Sequence, residues 1–214
     1  MGLIDRGILG GFRKKTGTVV GAFWRTLETI RAMPRISGKP QAQSIINQQI
    51  KFALITNFLS YISDLVQTGY KLQAEVQTEM NLAVADNLKN AIQGVAPDFS
   101  IKYAGITFSK GKINKGFGHA VASTGQSKVD LIWEDYGKST FCDPSDMATI
   151  LVYNPAQHNF VTLVDAVERS AKMFSIQMPL AFTGDEVHCY MSFNSKIKKD
   201  MVSDSVYVGH ILIV

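Results

Sequence analysis

The 214-residue chain has only two cysteines, Cys142 and Cys189, and no spacing that brings them together. A framework of disulfides is therefore not what organises it, and two reduced, mostly buried thiols are expected, as in a reducing compartment. Long apolar runs are lacking too. No window of about eighteen uncharged apolar residues exists, so no membrane span is expected. The apolar stretch Gly7–Phe12 is too short for a signal-peptide core, and Arg13, Lys14 and Lys15 follow it at once. No signal peptide is read, and a cytoplasmic or virion-associated location is expected. Histidine is scarce and scattered: His119, His158, His188 and His210 stand apart from any run of Cys, Asp or Glu at ligand spacing. His188 and Cys189 are neighbours in a β-like run, so they point to opposite faces. No metal site is expected.

Catalytic patterns are equally sparse. Cys142 sits in Phe141-Cys142-Asp143-Pro144-Ser145, where an acidic neighbour does nothing to activate a thiol. Cys189 has apolar residues at i±2 and reads as buried. No Ser or Asp stands in a nucleophile-elbow context. Glu75 and Glu79 have helical i, i+4 spacing, which reads as a solvated helix face. A phosphate-binding loop needs a strand, a glycine-rich turn, Lys-Ser or Lys-Thr, and then a helix. Lys15-Thr16 follows Gly10 and Gly11, but Thr18–Trp24 reads as strand, so the helix is missing. The expectation is a protein without a cofactor and without enzymatic activity.

What the chain does have is a folded-protein composition, with 46% hydrophobic and 19% charged residues, and a lopsided charge. Within residues 1–40, eight basic residues (Arg6, Arg13, Lys14, Lys15, Arg25, Arg31, Arg35, Lys39) face two acidic ones, Asp5 and Glu28. The arm thus carries +6 in a chain of net charge +4, leaving about −2 on the remainder. Its β-branched, aromatic and small residues, Thr18–Trp24 and then Thr29–Arg31, predict a β-hairpin or two extended segments. Gly7–Phe12 is too glycine-rich for a stable helix and should become ordered only on contact.

The predicted fold class is α+β, in four parts. Residues 1–40 form the basic, glycine-rich arm, and residues 41–96 a helical hairpin. In the hairpin, Ile45, Phe52, Ile55, Leu59, Ile62 and Val66 recur at helical spacing. That predicts one long helix from about Gln41 to Gln67, roughly 40 Å in length. Leu54, Phe58, Tyr61 and Leu65 widen its apolar stripe beyond one face, so the helix needs packing on more than one side. A second helix is predicted over Thr78–Gln93, with Thr78 as N-cap and Gly94 as its stop. Residues 97–127 read as connecting strands and turns. Residues 128–214 read as an antiparallel β-sandwich of about seven short strands, from period-two runs such as Val129, Leu131, Trp133 and Val187, Cys189, Met191, Phe193.

Residues 128–213 resemble a fibronectin type III-like or immunoglobulin-like module. The likeness is carried by Trp133 on an early strand, by Ala148–Asn154 as the next strand, by Met178-Pro179-Leu180 leading to Tyr190 on the penultimate strand, and by Ser203–Gly209 on the last. The whole chain also resembles an uncharacterised bacterial family, a domain of unknown function. The similar stretches are Gly7–Phe12, Lys15–Gly21, Lys51–Ala53, Asn87–Ile92 and Val206–Gly209. That resemblance implies no activity. The arm is also reminiscent of short basic, glycine-rich segments in some phage-encoded proteins.

Function is therefore expected to lie in contacts. The first expectation is a structural, self-assembling protein whose arm and long helix join copies of itself into a particle, tube or filament, with a phage-related virion as one setting. The alternative is a nucleic-acid-binding protein that uses the basic arm. For either role the candidate contact residues are Arg6, Phe12, Arg13, Lys14, Lys15, Phe23, Trp24, Arg25, Arg31 and Arg35.

Overall fold

A computed structural model describes residues 2–3, 12–24, 27–35, 38, 40–123, 125 and 127–214, without the side chains of Gly2, Leu3 and Trp24. The chain divides into two compact units, Met1–Gln43 and Ser44–Val214.

The first unit is a four-stranded antiparallel sheet. Its strands are β1 (Gly2–Leu3), β2 (Lys14–Thr16), β3 (Val19–Trp24) and β4 (Leu27–Ala32), in the order β1-β4-β3-β2. The β-branched residues of β3 and β4 pair from Val19↔Ala32 to Trp24↔Leu27. A tight turn joins β2 to β3, and Gly17 enters it at φ +59°, where a side chain would be strained. At Gly21 a Cβ would lie 2.1 Å from the Phe12 carbonyl oxygen and 2.8 Å from its ring, so only glycine lets Phe12 lie across β3.

The second unit has three layers. The helices are α1 (Gln43–Ser60), α2 (Ser63–Gly69) and α3 (Glu79–Asn90). The sequence predicts one helix to Gln67; the chain instead turns at Tyr61–Ile62. There the Ser60 hydroxyl donates to the Asn57 carbonyl at 2.7 Å, and the Ile62 amide reaches back only three residues, to Leu59 at 3.2 Å. Such local bonds compete with the helical ladder. Thr78 caps α3 by accepting the Asn81 amide at 3.2 Å. That helix ends earlier than Gln93, because Ile92 and Gln93 pair with Ile101 and Ser100 in a hairpin of β5 (Ile92–Val95) and β6 (Asp98–Ile101). Gly94, at φ +95°, serves that hairpin and does not stop the helix.

Seven strands follow: β7 (Phe117–Ser123), β8 (Lys128–Glu134), β9 (Met147–Asn154), β10 (Asn159–Glu168), β11 (Met173–Gln177), β12 (Glu186–Asn194) and β13 (Val206–Leu212). They form a three-stranded sheet, β11-β8-β7, and a four-stranded one, β10-β9-β12-β13. β7 pairs with β8, so the sheets begin upstream of residue 128. The architecture is mixed α+β.

Period-two alternation explains how the layers stack. Ile150 and Val152 of β9, with Cys189 and Met191 of β12, meet Val129, Leu131 and Trp133 of β8 in one core. Leu151, Tyr153 and Tyr190 point the other way and meet Ile55, Leu59, Val66 and Val84 of the helices. The four-stranded sheet is thus covered on both faces, and seven of the eight residues of β9 are buried. Each fully buried aliphatic or aromatic side chain stabilises the fold by about 1.5–3 kcal/mol.

Sealing this core is a buried charge. Arg169, fully buried, donates from Nη2 to the Asn114 carbonyl at 2.6 Å and pairs with Asp146 at 3.4 Å. Its guanidinium lies 3.8 Å above the Phe193 ring, and its carbonyl accepts the Trp133 indole N–H at 2.9 Å.

Candidate functional site

Two surfaces collect the residue types that make contacts. The first is the N-terminal sheet. Lys14 and Lys15 lie on β2, Phe23 and Trp24 at the end of β3, and Arg31 on β4. Phe12 and Arg13 precede β2, and Arg35 follows β4. The register puts Lys15 opposite Val20 and Val20 opposite Arg31, so the two cations flank a valine in one row, roughly 10 Å apart across two strand spacings. Arg13 lies with its guanidinium 5.1 Å from the centre of the Phe23 ring, and that ring is 48% exposed. Phe12 is half-buried over Gly21. Arg35 is exposed and joins neither group. Arg6 and Arg25, and the glycines at positions 7, 10 and 11, lie outside the described residues.

β2 is an edge strand, three residues long, carrying two lysines and a positive φ of +75° at Lys14. Short, lysine-bearing, irregular edges resist further strand pairing. The faces of this sheet are the better contact surface. Val19, Val20, Leu27 and Ile30 are only half-buried, and among the described residues of the unit only Gly21, which has no side chain, is buried.

The second surface is a cleft of about 390 Å³ in the second unit. α1 and the turn after it supply Leu54, Asn57, Phe58 and Tyr61. β6 and the residue pair beyond it supply Phe99, Ser100, Ile101 and Tyr103. The β9–β10 hairpin supplies Tyr153, His158 and Phe160. The wide apolar stripe of the first helix is the sequence signal for this cleft: Leu54, Phe58 and Tyr61 belong to it, Phe58 reaching back into the buried helix–sheet core while Leu54 and Tyr61 stay at the groove.

The rings form one assembly. Phe160 stacks on Tyr61, centroids 5.6 Å apart at 23°, and lies 4.5 Å from Tyr153. Phe58 meets both Tyr153 and Phe160 edge-on, at 5.0 and 5.2 Å. Tyr61 is placed outward by the helix turn and is 70% exposed. Lys51 holds its ammonium 4.5 Å from the Phe99 ring centre. The Tyr153 hydroxyl shares a 3.3 Å hydrogen bond with His158 Nδ1. Burial, with Tyr103 beside it, pushes the Tyr153 phenol up to about 12, so it stays protonated at neutral pH. Among the described residues neither the Asn57 amide nor the Ser100 hydroxyl has a side-chain partner.

The thiols and histidines do not converge. Cys142 and Cys189 are both free and buried; burial raises both thiols, Cys189 to about 12. Cys189 belongs to the inter-sheet core, whereas His188 stacks on Tyr103 at 4.3 Å on the opposite face. Among the described residues no three His, Cys, Asp or Glu side chains are grouped to hold a metal ion, and no helix is long and apolar enough to cross a membrane.

No protein of curated function matches this sequence. The pattern of one family does match, over residues 11–209, from the approach to β2 into β13, so it spans the N-terminal sheet, the helices and both larger sheets. The chain belongs to that family of unknown function, DUF6266.

Proposed function

We propose that this protein is a non-enzymatic assembly subunit, in which copies join through the N-terminal sheet and the first turns of α1. One observation carries the reading: among the described residues of the first unit, no side chain is buried. A sheet of β-branched and aromatic residues gains its stability by covering a face. Val19, Val20, Leu27, Ile30 and Phe23 therefore call for a cover that the unit itself does not supply. The start of α1 has the same character, since Ile45 and Phe52 lie two turns apart on one helix face and are 50% and 51% exposed. The short lysine edge of β2 favours face-to-face packing over strand addition.

We read the two larger sheets as a fibronectin type III-like sandwich. Their strand division supports it. The first, second and fifth of the seven strands form one sheet, while the third, sixth and seventh share the other, as in immunoglobulin-like folds, with the fourth beside the third. Trp133 lies on the second strand and Tyr190 on the sixth, where the resemblance requires them.

Light scattering after size exclusion tests the assembly. The full chain should run as an oligomer, and a version beginning at Gln41 as a monomer that keeps a cooperative thermal transition. Equal subunit number for both overturns the proposal.

A second reading has its own observation: the Lys15–Val20–Arg31 row sets two cations on one face of the sheet, roughly 10 Å apart, which suits contact with a phosphate backbone. If it holds, labelled single-stranded DNA or RNA binds with a salt slope that falls by up to about three phosphates' worth when Arg13, Lys14 and Lys15 are neutralised.

A further inference from the structure

We propose that the cleft between α1, β6 and the β9–β10 hairpin is a binding site for a neutral saccharide, whose ring stacks on Tyr61 and whose hydroxyls are held by Asn57 and Ser100. Every described residue that lines this cleft belongs to the second unit.

The volume, about 390 Å³, falls among small-ligand sites, which span roughly 300–1,000 Å³. An apolar interior with a few polar groups at its edge is the usual composition of such sites. Three features then narrow the ligand. Among the described residues no Asp, Glu, Lys or Arg lines the cleft, and the cation beside it, Lys51, is engaged on the Phe99 ring, so a neutral ligand suits it best. An aromatic cage for a methylated ammonium is disfavoured, because Lys51 already occupies the cation position over Phe99. The edge groups are also of mixed type. A side-chain amide and a hydroxyl each both donate and accept, which matches sugar hydroxyls that do the same. A proline-rich peptide offers carbonyl acceptors without amide donors, so it would leave half of that capacity unused.

Stacking explains the exposed ring. Tyr61 keeps one face on Phe160 and is 70% exposed, so its other face is open to a ligand. The C–H face of a pyranose covers such a ring, while its equatorial hydroxyls reach sideways to the amide and the serine. Phe160 is itself held between Tyr61 and Tyr153, so the platform is set before any ligand arrives.

The test is titration of the isotope-labelled full chain with cellohexaose, mannohexaose and chitohexaose, followed by amide shifts and calorimetry. At least one should bind and shift Asn57, Ser100 and Phe160. Tyr61→Ala should weaken that binding at least about tenfold, a loss of stacking, while Tyr61→Phe keeps most of it. Asn57→Ala should weaken it severalfold. Both positions are exposed, so the variants should keep the wild-type spectrum. The proposal is overturned if none of the three sugars shifts these amides, if binding survives Tyr61→Ala unchanged, or if adenosine monophosphate or decaproline shifts them and the sugars do not.

Discussion

The molecule contains two four-stranded antiparallel sheets, and they differ in almost everything but their pairing. The N-terminal sheet, β1-β4-β3-β2, has no buried side chain among its described residues. The sheet β10-β9-β12-β13 is covered by helices on one face and by β8 and β11 on the other, and its β9 is buried along almost its whole length. Both obey the same local rules: β-branched residues, matched registers, tight turns. Hydrogen-bonded pairing therefore gives shape, while stability comes from what lies on the faces. A sheet complete in its ladders and only half-covered on its faces is what the proposed assembly calls for.

The sharpest way to break this comparison is to remove one apolar side chain from each sheet system. Trp133→Ala should cost about 3–5 kcal/mol, because it empties the inter-sheet core and leaves the Arg169 carbonyl without its donor. In a unit of this size that lowers the melting temperature by on the order of 10 °C. Ile30→Ala, half-buried in the N-terminal sheet, should cost less than about 1 kcal/mol in the isolated subunit and should instead lower the oligomer fraction. Equal losses in thermal melts of the two variants would abolish the distinction.

Sequence alone carries much of this division, and its failures have physical causes. The charge asymmetry and β-branched runs of residues 1–40 mark the extended character of the first unit, because strand propensity is local. The alternation in β8, β9 and β12 marks the faces of the larger sheets, because a pleat has period two. The turn at Tyr61–Ile62 escapes, since no Gly or Pro announces it and the competing bond comes from an ordinary serine, Ser60. The end of α3 escapes because Ile92 fits the helical stripe until Ile101 pairs with it across the hairpin. Nothing local marks Arg169, between Glu168 and Ser170, as buried, and only the fold reveals that it lies against Phe193. The aromatic cleft is legible only as a stripe too wide for one face. Its members come from three distant segments, and nothing local says that they meet.

A smaller effect sharpens the comparison from the helical side. Asn87 is fully buried on α3; its amide donates to the carbonyls of Ala83 and Thr107, at 2.8 and 2.7 Å, and its oxygen accepts the Thr107 amide at 2.9 Å. The bonds to Thr107 tie the helix layer to the segment that leads toward the sheets. Asn87→Ala should cost about 1–3 kcal/mol, by stranding the Thr107 amide and carbonyl. Since helices and sheets share the β9–β12 layer, the urea transition should move to lower concentration with its slope unchanged. A second, separate transition would mean that the helices fold apart from the sheets and that the two-faced burial of β9 is not what unifies the unit.

The smallest expected effect is a pH dependence that belongs to the second unit alone, since all four histidines lie there. Burial lowers His188 from its ordinary 6.5, against the opposing pull of Glu186 and with His210 adding to it; its Nδ1 is 2.9 Å from the Tyr207 hydroxyl, and Tyr103 covers its ring. Burial likewise lowers His119, despite its hydrogen bond to the Lys115 carbonyl, and the charges of Lys115 and Arg169 lower it further. Below about 6.5 the unfolded chain takes up protons that the folded chain still refuses, so stability is full above that pH and declines as the pH falls through it. Melting temperatures should therefore drop from pH 7.5 to pH 5.5, and the double variant His119→Gln, His188→Gln should flatten the drop. A version beginning at Gln41 should show the same slope as the full chain, because residues 1–40 contain no histidine. A slope that vanished on removing the sheet would place the responsive groups at its interface, and the two regions would then be coupled in a way their separate burial does not require.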